Sequence, residues 1–319
     1  MEIYESRSEF GKKQYWWLSL ILLVLTVFGT LAILQSLSIF LVPVLFNIPF
    51  DDIAYIFGGN YDHPNARLSL LFIQALGSGL SFWLGGYLFL KFVDRASLRI
   101  EQQIANTKFN LSLLVIPILL SFIAINSIVI YWNSQIQFPE FMSSFEEYVR
   151  RTETDTMRLT TYLTNFENFN EFIAGIIVIG IFAGIGEEYV FRGILQPKLH
   201  QYTGNAHLGI WLSAIIFSAI HVQFYGFFPR MLLGALFGYL YLYSGSLFYP
   251  ILAHILNNSL TVTLVYLNKL GLVEFNIEES TQADWYIVLI GVIIFIISFK
   301  LFIKNSRELP PNGQMEEGF

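Results

Sequence analysis

Long apolar runs broken by short polar stretches dominate the chain, and their lengths set the expected elements. A helix that crosses a bilayer needs roughly 20 mostly apolar residues. That length picks out about eight runs: 16–46, 69–92, 109–132, 172–186, 208–224, 231–248, 251–268 and 285–303. The pattern predicts an all-α polytopic membrane protein, a bundle of about eight transmembrane helices around an intramembrane polar cavity. The run 172–186 is too short to cross alone. It spans only if the helix continues through Glu187 and Glu188 towards Gly193, which places two carboxylates within the membrane. Gly245 and Pro250 predict a turn between the sixth and seventh runs, since glycine relaxes the backbone and proline suits a helix start.

Charges in the loops supply an orientation. The N-terminus (Arg7, Lys12, Lys13), the 93–108 loop with its borders (Lys91, Arg95, Arg99, Lys108), the stretch holding Lys198 and the C-terminus (Lys304, Arg307) are basic. The loops between them are mostly acidic: Asp51, Asp52 and Asp62, then Glu274, Glu278, Glu279 and Asp284. By the positive-inside rule both termini are expected in the cytoplasm. The 134–170 loop is mixed, with Arg150, Arg151 and Arg158 against acids from Glu140 to Glu167, and reads as an extramembrane segment with a surface helix. Three parts are expected: 1–171 with three spans and this loop, 172–268 as the core that carries the chemistry, and 269–319 with the last span and a polar, disordered tail. The polar start followed by about thirty apolar residues reads as a retained first helix, not a cleavable leader.

Composition agrees. The hydrophobic share is 55% and the charged share 13%, far below the quarter expected of a soluble domain. No basic run or nucleic-acid motif occurs, so the expected partners are the bilayer and a membrane-associated peptide or protein. Cysteine is absent, which removes disulfides, thiolate ligands and a cysteine nucleophile.

Between Phe172 and Asn268, Glu187 and Glu188 are the only acids. Ionisable groups inside a membrane are expensive, and mark function by default. Glu188 and Arg192 are four apart and share a helix face; Glu187 points about 100° away, free to project into a cavity. The plainer reading is a Glu–Arg pair that pins helix packing. His221 follows Phe217 by one turn, and alone reads equally well as a structural group or as a base. His254 and Asn258 share another face and can together donate to a developing oxyanion, although asparagine by itself reads better as polar glue. Asn257 is expected to face elsewhere. Gly234 and Gly238 form a small-xxx-small face, a packing signal only.

The chain has no His-Glu-x-x-His, Gly-x-Ser-x-Gly, Gly-x-Gly-Asp or phosphate-binding glycine loop, so the common zinc, serine and aspartyl protease designs lack support. Taken together, Glu187-Glu188-x-x-x-Arg192, Phe217-x-x-x-His221 and His254-x-x-x-Asn258 resemble the three-motif signature of the CPBP (Abi) family. It comprises type II, Rce1-like CAAX prenyl endopeptidases and bacteriocin-processing or immunity proteins. The resemblance covers 172–268 and implies an intramembrane endopeptidase whose cavity opens towards the cytoplasm. It further implies that Glu187 and His221 activate water, His254 and Asn258 stabilise the oxyanion, and Glu188 with Arg192 supports the site. If a metal binds, the expected ion is Zn²⁺ on Glu187, His221 and His254. Two rival functions remain open on the residues alone: an ion- or proton-coupled transporter, and a non-catalytic scaffold or immunity factor.

Overall fold

In a computed structural model the chain is a helical bundle with no strand among the described residues, which are Tyr4, Ser8, 13–277 and 282–306. Arg7, Lys12, Glu278, Glu279 and the expected polar tail lie outside them. Eleven helices follow in order: α1 Trp16–Phe46, α2 Phe50–Phe57, α3 66–94, α4 Ile100–Ala105, α5 Phe109–Ser134, α6 Ser143–Thr164, α7 169–203, α8 Ala206–Ala219, α9 Phe227–Ser244, α10 Phe248–Lys269 and α11 Trp285–Ser306. Six of them (α1, α3, α5, α7, α10, α11) are long and apolar enough to cross a membrane. With α8 and α9 they make the expected bundle of about eight.

Helix α7 runs 35 residues straight through the Glu pair, as the short fourth run required. It is not uniform. Wider π-helical turns at Ile176–Phe182 and Phe191–Leu195 bracket the α-helical stretch Ala183–Val190. Such turns free backbone carbonyls and are frequent at functional sites. The predicted turn also forms: α9 ends at Ser244, Gly245 takes φ 65, and α10 begins at Phe248.

Contacts sort the connections onto two faces. On the face shared with the chain start, Asp94 accepts from the Tyr4 hydroxyl and, at 2.8 Å, from Lys198 Nζ. Nearby, Gln103 Oε1 accepts from the Leu247 N–H at 2.9 Å, and the Tyr249 hydroxyl donates to Asn106 O at 2.9 Å. This face is tightly closed. Lys198, expected as a loop charge that sets orientation, is instead fully buried with its charge matched by Asp94.

On the opposite face, Arg158 Nη2 donates to Gly59 O, Arg67 Nε to Tyr162 O, and Asn133 Nδ2 to Phe224 O. The surface helix expected in 134–170 is α6, which buries Val149 and Leu163 and lies across this end of the bundle. Glu146 accepts from Arg150 Nε at 2.8 Å, a bond that holds its carboxyl below the usual carboxylate range.

One span departs from expectation. The run 208–224 predicts a helix through His221, but α8 stops at Ala219 after 14 residues. At 1.5 Å per residue that is about 21 Å, well short of a hydrocarbon core of about 30 Å. The turn 220–226 thus ends α8 before a full crossing. Non-helical backbone at membrane depth is tolerated only where protein buries it or a water-filled cavity meets it. Val222 in this turn has φ 54, an outlier conformation for a β-branched residue, and it directly follows His221.

Candidate active site

The stretch Ala183–Val190 positions the acids. Glycine at 186 lets α7 approach α3, because a Cβ there would stand 2.3 Å from Gly79 O. Glu188 faces inward and is fully buried; Glu187, one residue earlier, keeps 14% of its side chain exposed. Their divergence follows from the helical rotation between neighbours.

Glu188 sits at the centre of a chain of three. Arg192 Nη1 donates to its Oε1 at 2.6 Å, and His254 Nδ1 lies 2.8 Å from the same oxygen. A carboxylate paired with Arg192 can only accept, so Nδ1 carries the proton and Nε2 points to the reacting side. There it lies 3.9 Å from Glu187 Oε2. The guanidinium of Arg192 is itself held by Gly234 O at 2.8 Å and stacks over the Phe217 ring at 4.7 Å. One helix turn on, Gln196 Nε2 donates to Gly238 O at 3.1 Å. Gly234 and Gly238 thus do more than let helices approach: without side chains they expose their carbonyls to α7.

His221 lies at the end of α8. Its Nδ1 is 2.8 Å from Phe217 O, which can only accept, so this nitrogen donates and Nε2 keeps its lone pair. Phe217 packs edge-on against both imidazoles, with ring centroids 5.1 Å from His221 and 6.0 Å from His254. Phe237 stacks on His254 at 5.2 Å and fixes the ring plane. No hydrogen bond or ion pair joins Glu187 to His221.

Asn258 is on α10, one turn beyond His254. Its Nδ2 donates to Ile179 O at 2.9 Å, a carbonyl within the first π-helical turn of α7. One amide proton is thereby used, and the second remains for another acceptor. Asn257, expected to face elsewhere, donates to Asn258 Oδ1 at 3.2 Å and sets the amide's orientation.

The motif residues therefore come together from α7, α8 and α10. Arg192, Gln196 and Lys198 are buried, whereas Glu187, His221 and Asn258 are only partly buried.

The donors do not fit a zinc site as they stand. Among the described residues no three His, Asp or Glu side chains are grouped to hold a metal. His254 Nδ1 is engaged by Glu188 and His221 Nδ1 by Phe217 O, so the two free Nε2 atoms would have to converge with Glu187.

Arg230, in the first turn of α9, lies outside the three motifs. It lies within electrostatic reach of both Glu187 and His221. Nothing in the sequence flagged it: a single arginine after Phe-Phe-Pro reads as an ordinary helix-start charge.

Residues 169–260 match the family model described as type II CAAX prenyl endopeptidase, Rce1-like. Over 86 residues the chain is 31% identical to "Uncharacterized protein YpbD" of Bacillus subtilis (strain 168), an alignment that covers 26% of this chain and 41% of that relative. The chain thus spans under half the length of the curated relative it matches. No solved structure matches.

Proposed function

We propose, from the premise that residues 169–260 form an Rce1-like segment, that this protein is an intramembrane endopeptidase acting on a membrane-associated, CAAX-like substrate. The observation that carries the reading is the polar cluster between apolar helices: Glu188 joined to Arg192 and His254, Glu187 3.9 Å from His254 Nε2, and His221 packed on the Phe217 ring that also meets His254. Water bound between His221 Nε2 and the Glu187 carboxylate loses a proton to this pair as its oxygen attacks the scissile carbonyl carbon. The second N–H of Asn258 donates to the resulting oxyanion, joined by His254 when its Nε2 has taken up a proton from solvent before the substrate binds. The proton held by Glu187 and His221 passes to the leaving amine nitrogen as the C–N bond breaks. Glu188, anchored by Arg192, keeps His254 in the tautomer and orientation these steps need.

Metal participation is a separate question, answered by elemental analysis of purified protein with and without chelator. The test of the function is a peptide-library cleavage assay in detergent. Full cleavage by a folded Glu187→Ala variant would discredit the assignment. Substrate flux in proteoliposomes that vanishes with Glu188→Gln, without any cleavage, would favour a transporter. A catalytically dead variant that still held a protein partner would favour a scaffold.

Basic residues on the chain-start face support a cytoplasmic location for that face, with α6 on the outer side. A chain with no native cysteine allows a clean test. Arg95→Cys and Phe141→Cys, both at exposed positions, should label from the cytoplasmic and outer sides respectively with a membrane-impermeant maleimide. The reverse pattern would overturn this orientation.

A further inference from the structure

Arg230 is a half-buried cation with no ion-pair partner among the described residues. Its Nη2 donates to Gln223 Oε1 at 2.7 Å, while Nη1 is buried and has no hydrogen-bond partner. Glu187 and Glu153 are the carboxylates within electrostatic reach, yet neither is in ion-pair contact with it, and Glu153 Oε1 already accepts the Tyr225 N–H at 2.8 Å. The residue also sits in the first turn of α9, where the helix macrodipole is positive and disfavours a cation, and that turn holds no acid. A buried charge left unpaired is strongly unfavourable, so a position like this calls for an anion. The turn leaves room beside it: a Cβ on Gly226 would stand 2.9 Å from Arg230 Nη2 and push the guanidinium aside.

We infer that Arg230 is the substrate-binding group that receives the C-terminal carboxylate of the peptide. The inference rests on the endopeptidase reading above. The guanidinium offers Nη1–H, and with Gln223 displaced Nη2–H as well, in a fork that matches a carboxylate. The carboxylate is not consumed. It sets the distance between the chain end and the carbonyl presented to Glu187 and His221, and therefore which bond is cut.

The experiment uses the full-length protein in detergent with paired peptides that end in a free acid or a carboxamide. Affinity is read by calorimetry on short C-terminal peptides that lack the scissile bond, and cleavage is read separately on longer ones. Wild-type protein should bind the acid about tenfold to a hundredfold more tightly than the amide. Arg230→Gln should erase that preference, Arg230→Lys should restore part of it, and Gly226→Ala, by displacing the guanidinium, should weaken it. In cleavage the loss should fall on KM for the acid peptide, with little change for the amide. Equal binding of acid and amide by wild-type protein overturns the inference, even if Arg230→Gln cannot be purified. So does an acid preference that survives in folded Arg230→Gln. An acid preference without any cleavage would leave the carboxylate site standing and sink the endopeptidase reading alone.

Discussion

Helix α7 carries two buried ionic clusters barely two turns apart, and they behave differently. Towards the chain-start face, Lys198 and Asp94 form a closed pair, both fully buried, with the Tyr4 hydroxyl as an added donor. At mid-helix, Arg192 and Glu188 also pair while fully buried, but here the neighbourhood holds a surplus: Glu187, His221, His254 and Arg230. Both clusters carry the burden of charge in a low-dielectric medium. Only the second leaves polar atoms unspent and reachable. An ion pair inside a membrane is therefore weak evidence of function; an excess of ionisable groups over partners is the stronger sign.

The comparison is broken most directly through activity. Glu187→Ala and His221→Ala should each lower the cleavage rate about 10²- to 10⁴-fold, the usual worth of a positioned acid–base group. Asp94→Asn should leave the rate per folded molecule unchanged. Initial rates normalised to monodisperse protein decide this, and equal losses in all three variants would erase the distinction drawn between the clusters.

Stability should treat the clusters alike. Asp94→Asn strands Lys198 and Glu188→Gln strands Arg192, each at about 3–5 kcal/mol. Replacing both members of the closed pair (Asp94→Leu with Lys198→Met) should recover most of that loss, since well-packed apolar groups replace buried pairs at little net change. Reversible unfolding in mixed micelles measures both, and a double variant no better than Asp94→Asn alone would contradict the structural role given to this pair.

The smallest effect concerns backbone strain beside the site. Val222→Gly should stabilise the fold by about 1 kcal/mol or less, because glycine accepts φ 54 freely, a gain partly offset by the greater entropy of glycine in the unfolded chain. If the same variant slows cleavage, the strained turn is also what holds His221 in place. A destabilised Val222→Gly protein would show that valine's packing outweighs its strain.

The chain's order alone settled a good deal. Run lengths forced α7 through Glu187 and Glu188, because no other way exists to complete that span, and four-residue spacing placed Glu188 with Arg192 on one face, where they meet at 2.6 Å. Local periodicity governs both, so both are legible without a fold. What depends on distant partners was not. Lys198 reads as a loop charge until Asp94, about a hundred residues earlier, closes on it. Asn257 joins the site only because Asn258 turns its oxygen that way. The end of α8 at Ala219 answers to the packing of α6 and α9 around the turn, not to the apolar run, which continues to Phe224. Arg230 became conspicuous only once packing cut its Nη1 off from solvent and tertiary contacts supplied no acid in exchange. Sequence sets which groups must enter the membrane; tertiary packing decides which of them are left unpaired there, because desolvation and pairing are properties of neighbours that the chain brings together from afar.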